Sequence, residues 1–425
     1  MSGARGRAPV GGPAAPTGPL AFPAFRWLFA GQVVSAIGDQ LFPVAIAALV
    51  VTRGGTAGEL GLVLAARFAA LVLFALLGGV WADRLPRVRL MRAADVLRLV
   101  AVGGIALAAA AEPPVALLAA LVFLVGAGEA FFRPAYGAVV PTVLPAEHLN
   151  RANALTGLSH HVAQVAGPGL AGLLLLVAEP AGVLALDALT FVVSLLTLVR
   201  VAEPAVEPAP RRRLHVEVVE GVLAVRDRPW IAGILALATL QLLLTVAPVT
   251  VLLPVVVRDA GAPASTYGLV LAVGGLGGVA GAVLAARWTP PRPGLAAMLL
   301  LLLWAVPPLA LLVPTGPALL AAAWFLGSFG LGPFNVWWET ALQRSVPREL
   351  LARVVSLDWL CTLALLPLGL ALTGPAGALR GRGPVLLTAS ATMVVTSLAV
   401  LLVPGVTTLG TPPERTRLSE APPSV

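Results

Sequence analysis

The chain has 425 residues, of which 58% are hydrophobic and 11% charged, and its net charge is +8. A soluble domain carries about a quarter charged residues, so a soluble globular protein is excluded. The basic excess lies in short loops and forms no stripe, which excludes a nucleic-acid surface. All 28 basic residues are arginine, and without a lysine no Walker A phosphate loop exists to hydrolyse ATP.

In chain order, residues 1–25 are basic but lack the short apolar region and cleavage site of a signal peptide, and they read as a disordered cytoplasmic tail. Six apolar windows follow, at 26–51, 60–82, 90–111, 115–138, 152–177 and 182–201, each near the ~20 residues that a bilayer core requires. The run 169–199 is too long for one helix, and "EPAG" at 179–182 divides it. Residues 202–229 open as a proline-rich linker. They continue with Leu214, Val218, Val219 and Val222 at helical spacing, which predicts a short amphipathic helix at the membrane surface. Six more windows follow, at 230–257, 266–288, 295–313, 317–342, 352–373 and 384–404, and then a second tail from 405. The expected fold is an all-α membrane protein of twelve transmembrane helices in two six-helix bundles, 26–201 and 230–404.

Arginine placement orients these spans. Twenty-one arginines fall in segments on the side of the N-terminus, four on the other side and three within spans. The positive-inside rule then places both termini in the cytoplasm. One cysteine permits no internal disulfide, and four scattered histidines form no metal pattern. No nucleophile–base pair, metal motif or nucleotide loop supports enzymatic chemistry, and no cofactor is expected.

The two halves also resemble each other, as in transporters built from parallel repeats. "GLVLAARFAALVLFALLGGVWA" (61–82) aligns with "GLVLAVGGLGGVAGAVLAARWT" (268–289). "VVPTVLPAEHLNRANAL" (139–155) aligns with "ALQRSVPRELLARVVSL" (341–357), matching Pro145 to Pro347, Glu147 to Glu349 and Arg151 to Arg353. The likeness of any two Leu/Ala/Gly-rich helices explains less, because the loop match rests on polar residues.

Between the second and third windows stands "GGVWADRLPRVRLMR" (78–92), a charge cluster headed by a single acid. It resembles the loop signature Gly-x-x-x-Asp-Arg-x-Gly-Arg-x-Arg of the major facilitator superfamily. Gly79, Asp83, Arg84, Arg87 and Arg89 match that pattern, and Pro86 replaces its usual Gly. "AGPGLAG" (166–172) is similar to the Gly-Pro-x-x-Gly-Gly element of proton-coupled exporters: Gly167, Pro168 and Gly172 match, while Ala171 departs. "FRWLFAGQVVSAIGD" (25–39) and "WETALQRSVPRELLARVVSLDWL" (338–360) resemble the bacterial branch of enterobactin, macrolide and multidrug exporters. The resemblance implies that Asp83, with Arg84 and Arg87, latches the cytoplasmic side against the eleventh helix, where a helix N-terminus favours an acid. A purely topological role for the loop arginines stands beside that reading.

Charges inside spans are costly and face a cavity or a partner. Asp39 lies in the first span. Glu129 lies in the fourth, with Arg133 one turn later. These three are the proton-coupling candidates, and a fixed ion pair is the competing role. Glu339 and Asp358, near the cytoplasmic ends of the tenth and eleventh spans, read as gate residues. Arg67 lies in the second span; Asp95, Arg98 and Asp187 read as structural, and His160 and His161 as packing residues, with a proton site as their competing role. Phe132, Tyr136, Gln164, Gln241, Asn335 and Trp338 are candidates to line a substrate cavity. Gly167, Pro168 and Gly172 are expected to bend the fifth span or let it pack closely.

Together these features predict a secondary active exporter working by rocking alternating access. Protons would drive export of a small amphipathic compound, such as a drug, siderophore or secondary metabolite. Its partners are the lipid bilayer, the substrate and protons, with no nucleic acid and no ATP, and the fold needs no second chain, so a monomer is expected. The heavy Ala, Gly, Pro and Arg usage without Lys is that of a GC-rich bacterial genome and of an inner or plasma membrane protein. Two alternatives stay open: an uptake permease of the same fold, and a membrane sensor or biosynthetic partner that transports nothing.

Overall fold

The computed structural model describes residues 18–203, 222–223, 225–313 and 316–410. The linker helix expected over 214–222 therefore falls almost wholly outside the described residues, as do 1–17 and 411–425. The first half comprises α1 (Pro23–Thr52), α2 (Ala57–Arg84), α3 (Arg87–Ala108), α4 (Val115–Val143), α5 (Ala146–Leu174) and α6 (Pro180–Leu198). The second comprises α7 (Pro229–Gln241 and Ala247–Asp259), α8 (Ser265–Arg287), α9 (Pro293–Leu301 and Val306–Ala310), α10 (Pro317–Ser345), α11 (Arg348–Ala364 and Leu366–Arg380) and α12 (Arg382–Ala399).

Among the described residues, eleven helices are long and apolar enough to cross a membrane. The twelfth, α5, is 29 residues long, but Asn150, Arg151, Asn153, Thr156, Ser159, His160, His161 and Gln164 make its first two thirds polar. Length and packing, not hydropathy, make it a span.

Proline explains the three interruptions in the second half. It cannot donate to the carbonyl four residues back, so the helix must re-route its bonds. A π segment at Leu242–Val246 joins the two parts of α7 just before Pro248. A 3-10 turn at Leu302–Ala305 interrupts α9 before Pro307 and Pro308. The break of α11 at Leu365 precedes Pro367.

The halves pack alike. α2 packs along α4 as α8 packs along α10, and the halves meet through α2 with α11 and through α5 with α8. Both seams are pinched at one end by glycine. A Cβ on Gly61 would stand 2.2 Å from the carbonyl oxygen of Leu370, and one on Gly268 would stand 2.5 Å from the Cα of Gly172. No side chain fits there, so the helix backbones touch. The Arg258 guanidinium adds a tie by donating to the carbonyl of Gly55 at 2.7 Å. Toward the other end the same four helices carry exposed large apolar side chains: Leu73 and Trp81, Leu158 and Val162, Leu276 and Val283, Trp359. The cleft between the halves is closed at the α1–α2 end.

The packed structure extends past both expected tail boundaries, 25 and 405. Pro23 starts α1, and Phe25 is fully buried. At the other terminus Val406 and Leu409 are buried beside Trp230, and Leu295 donates its N–H to the carbonyl of Thr407 at 3.1 Å. Residues 405–410 are a packed cap on the second bundle, because their two apolar side chains fill a hollow that α7 and α9 leave.

Candidate functional site

The fully buried charged side chains among the described residues are Asp95, Arg98, Glu129 and Asp187, all in the first half. Asp39 and Arg67 border them. Arg98 of α3 sits between two aromatic faces, its Cζ 4.5 Å from the ring centroids of both Phe132 on α4 and Phe191 on α6. Its guanidinium grips Asp95 one turn earlier and reaches Asp39 on α1 at 3.4 Å. Ser194 on α6 donates to the second oxygen of Asp95 at 2.6 Å. Arginine suits this position because a planar guanidinium stacks on rings while its edge donates.

Glu129 forms the second knot. Arg67 of α2 donates to one of its oxygens through Nε at 3.0 Å, with Nη2 at 2.9 Å, and Arg133 holds the other at 2.5 Å. The Glu129 carboxylate, 4% exposed, is thus clamped between two guanidiniums. Arg133 is half exposed, and its Cζ lies 5.4 Å from the ring centroid of Trp359 on α11. The Glu129 knot therefore touches the other half of the molecule.

The second half contains a cavity of about 260 Å³ between α7, α9, α10, α11 and α12. Gln241, Asn335, Trp338 and Asp358 line it with Trp304, Phe334 and apolar side chains. Trp338 donates its indole N–H to Asp358 at 3.3 Å. Gln241 spends its amide N–H groups on Thr396 at 3.0 Å and Ser397 at 3.1 Å, so it braces α7 against α12. A single carboxylate among aromatic walls favours a basic or hydrogen-bond-donating amphiphile.

The remaining expected residues divide. Phe132 is the platform under Arg98 and no part of this cavity, and Tyr136 stacks on it and bonds Thr156 of α5 at 3.2 Å. Gln164 is exposed and pairs with His160 at 3.2 Å. Asp358, read from sequence as a gate residue, faces the cavity, because its position on α11 turns it toward Trp338; Glu339 is exposed. A Cβ on Gly167 would lie 2.3 Å from the Cβ of Gln40, so this glycine seats α5 on α1, while Gly172 makes the cross-half contact; Pro168 lies within α5 between them.

Of the loop between α2 and α3, the side chain of Asp83 lies outside the described residues, and Arg84 is exposed. The Arg87 and Val88 N–H groups both donate to Glu203, at 3.1 and 2.9 Å, and Arg92 donates to the carbonyl of Leu198 at 2.5 Å. These contacts fasten α3 to the end of α6 within one half. Glu203 escaped the sequence reading because it stands 116 positions from the helix start that it caps. The pairing of Arg67 with Glu129 and that of Arg98 with Asp39 were equally invisible, since the partners stand 62 and 59 positions apart.

Twelve helices in two like bundles, with a pinched seam, a buried charge network and a cavity, make a multi-pass membrane transport protein. The Major Facilitator Superfamily model matches residues 28–362, and the chain belongs to that superfamily. It is 27% identical over 407 residues to the multidrug efflux pump Tap of Mycolicibacterium fortuitum, covering 91% of this chain and 96% of that one. It is 29% identical over 375 residues to the enterobactin exporter EntS of Citrobacter koseri, covering 84% and 86%. It is 27% identical over 245 residues to macrolide efflux protein A of Streptococcus pyogenes, covering 55% of this chain and 59% of that protein, so that match spans about three fifths of the relative's length. Among solved structures, the nucleoside transporter NupG (D323A mutant) superposes with a TM-score of 0.73 over 89% of this chain and 99% of its own, at 11% identity, which is a likeness of fold alone.

Proposed function

We propose that this transporter exports a small amphipathic compound from a bacterial cytoplasm in exchange for protons, by rocking its two halves about the pinched seam. Both termini lie in the cytoplasm of an inner or plasma membrane protein that works as a monomer. Asp39, Glu129 and Arg133 belong to the proton-coupling network, and the cavity bearing Asn335, Trp338 and Asp358 receives the compound.

The contact of Arg133 with Trp359 carries this reading. Arg133 is tied to Glu129 at 2.5 Å, and Trp359 is the chain neighbour of Asp358, which lines the cavity. A change of charge in the first half can thus be felt at the cavity wall in the second. The efflux names of three relatives support the outward direction. The rival uptake permease finds no comparable support.

The test uses everted membrane vesicles energised by respiration and carrying a pH-sensitive dye. Macrolides, cationic dyes and siderophores are added to vesicles with wild type, Asp39→Asn and Glu129→Gln. Proton release that follows one compound and is lost in either variant is the expected result. No response to any compound, with nutrient accumulation in intact cells through this protein, would overturn export in favour of uptake.

A further inference from the structure

The buried network does not balance. Around Arg98 and Glu129 stand three cations, Arg67, Arg98 and Arg133, and four acids, Asp39, Asp95, Glu129 and Asp187. Every cation has an acid, and three acids have a cation. Asp187 is left over. It is 1% exposed, it forms no ion pair among the described residues, and its Oδ2 has no hydrogen-bond partner. Its Oδ1 has only the Thr190 hydroxyl at 3.5 Å, a hydroxyl that already donates to the Asp187 carbonyl at 2.7 Å.

An ionised carboxylate in such a place costs several kcal/mol, and the group takes up a proton instead. The site is shaped for that acid. α1 presents Gly38 to it, and a Cβ there would stand 2.4 Å from Oδ1 of Asp187 and from the Thr190 hydroxyl. Glycine lets α6 bring Asp187 against the backbone beside Asp39. Ser35, one turn before Asp39, is also fully buried, and its hydroxyl has no partner. Asp39 on α1, Arg98 on α3 and Arg67 on α2 are the charged groups whose fields act on Asp187. Arg98 lies over Phe191, one helical turn beyond Asp187 on α6. Its Nε has no acceptor, and its contact with Asp39 is the long arm at 3.4 Å.

From this juxtaposition we infer that Asp187 holds the proton of the network in this conformation, and that Arg98 is the cation that replaces it. In the release step the Asp187 O–H bond breaks and water takes the proton. The Arg98 guanidinium then turns from Asp39 toward the new carboxylate. The step needs water at Asp187, which the α1–α6 seam excludes here, so exchange waits for the other conformation. The inference rests on the proton-antiport reading for its place in transport, while the protonation of Asp187 stands by itself.

The test is infrared spectroscopy of the purified full chain in lipid, in H₂O and in D₂O, near neutral pH. The expected result is a carboxylic-acid carbonyl band that is present in wild type, Asp39→Asn and Glu129→Gln and lost in Asp187→Asn. Asparagine copies the shape of the protonated acid, so Asp187→Asn is expected to elute as a monodisperse folded protein; Asp187→Ser serves if it does not. Absence of the band from wild type, or its persistence in both Asp187 variants, would overturn the inference. In the vesicle assay, loss of compound-driven proton release in Asp187→Asn supports the coupling role, and unchanged release rejects it with antiport intact. No release from wild type rejects antiport and with it the coupling role, while the band still reports whether Asp187 is protonated.

Discussion

Arg133 on α4 and Trp359 on α11 stand face to face across the two halves, the guanidinium carbon 5.4 Å from the ring centroid. An exposed contact of this kind contributes about 0.5–1 kcal/mol. That is too little to lock a conformation and enough to bias one. Trp359→Leu is therefore expected to shift the balance between the two conformations by roughly two- to fivefold, with little change in the stability of either half. Distances between spin labels on α4 and α11 would measure the shift; an unchanged distribution would remove Arg133 from the coupling path.

Arg98 is the structural centre of the first half. Arg98→Met leaves Asp95 without a cation, and breaking a buried pair this way costs about 3–5 kcal/mol. Arg98→Lys keeps the charge but loses the stacked plane between Phe132 and Phe191. Both variants are expected to melt at lower temperature in detergent, Arg98→Met by more. Melting of Arg98→Lys at the wild-type temperature would show that the charge alone suffices.

The pinched seam predicts a conformational trap. A valine at Gly268 would meet the Cα of Gly172 well inside contact distance. Gly268→Val must then push α5 and α8 apart at that end, favouring the conformation open there. Cysteine labelling of α5 and α8 at the seam, after Cys361→Ala, is expected to speed up in the variant. Unchanged labelling would mean that the seam opens elsewhere.

Trp338→Ala removes both a wall of the second-half cavity and the N–H that Asp358 accepts. Binding of the transported compound is expected to weaken by about tenfold, near 1.4 kcal/mol, as read by tryptophan-independent calorimetry. Equal affinity in the variant would place the compound outside this cavity.

Glu203→Gln tests the fastening of α3. The carboxylate accepts from two N–H groups of the first turn, and losing a cap costs about 0.5–2 kcal/mol. A matching fall in melting temperature is expected, with the compound's affinity unchanged.

Much of this was legible in one dimension. Runs of about twenty apolar residues separated by arginine loops can only be membrane helices, and the loop at 78–92 with the Gly-Pro element points to one superfamily. Local chemistry was equally readable: Glu129 and Arg133 are one turn apart, so their pairing follows from helical spacing. The fifth window, at 152–177, was placed from sequence as well, although α5 is polar over its first two thirds.

What the chain order could not disclose is partnership across helices. Arg67 meets Glu129, Arg98 meets Asp39 and Glu203 meets Arg87 only because three-dimensional packing brings distant segments within hydrogen-bond reach. Asp187 looks like any other intramembrane acid until the packing shows that every cation near it is already taken. That Asp358, a gate candidate by its place in the chain, also lines the second-half cavity is likewise known only from the packing. The physical reason is one of range. Hydropathy and helical period act between neighbours in sequence, whereas a charge in a membrane is settled by whichever group the fold places beside it.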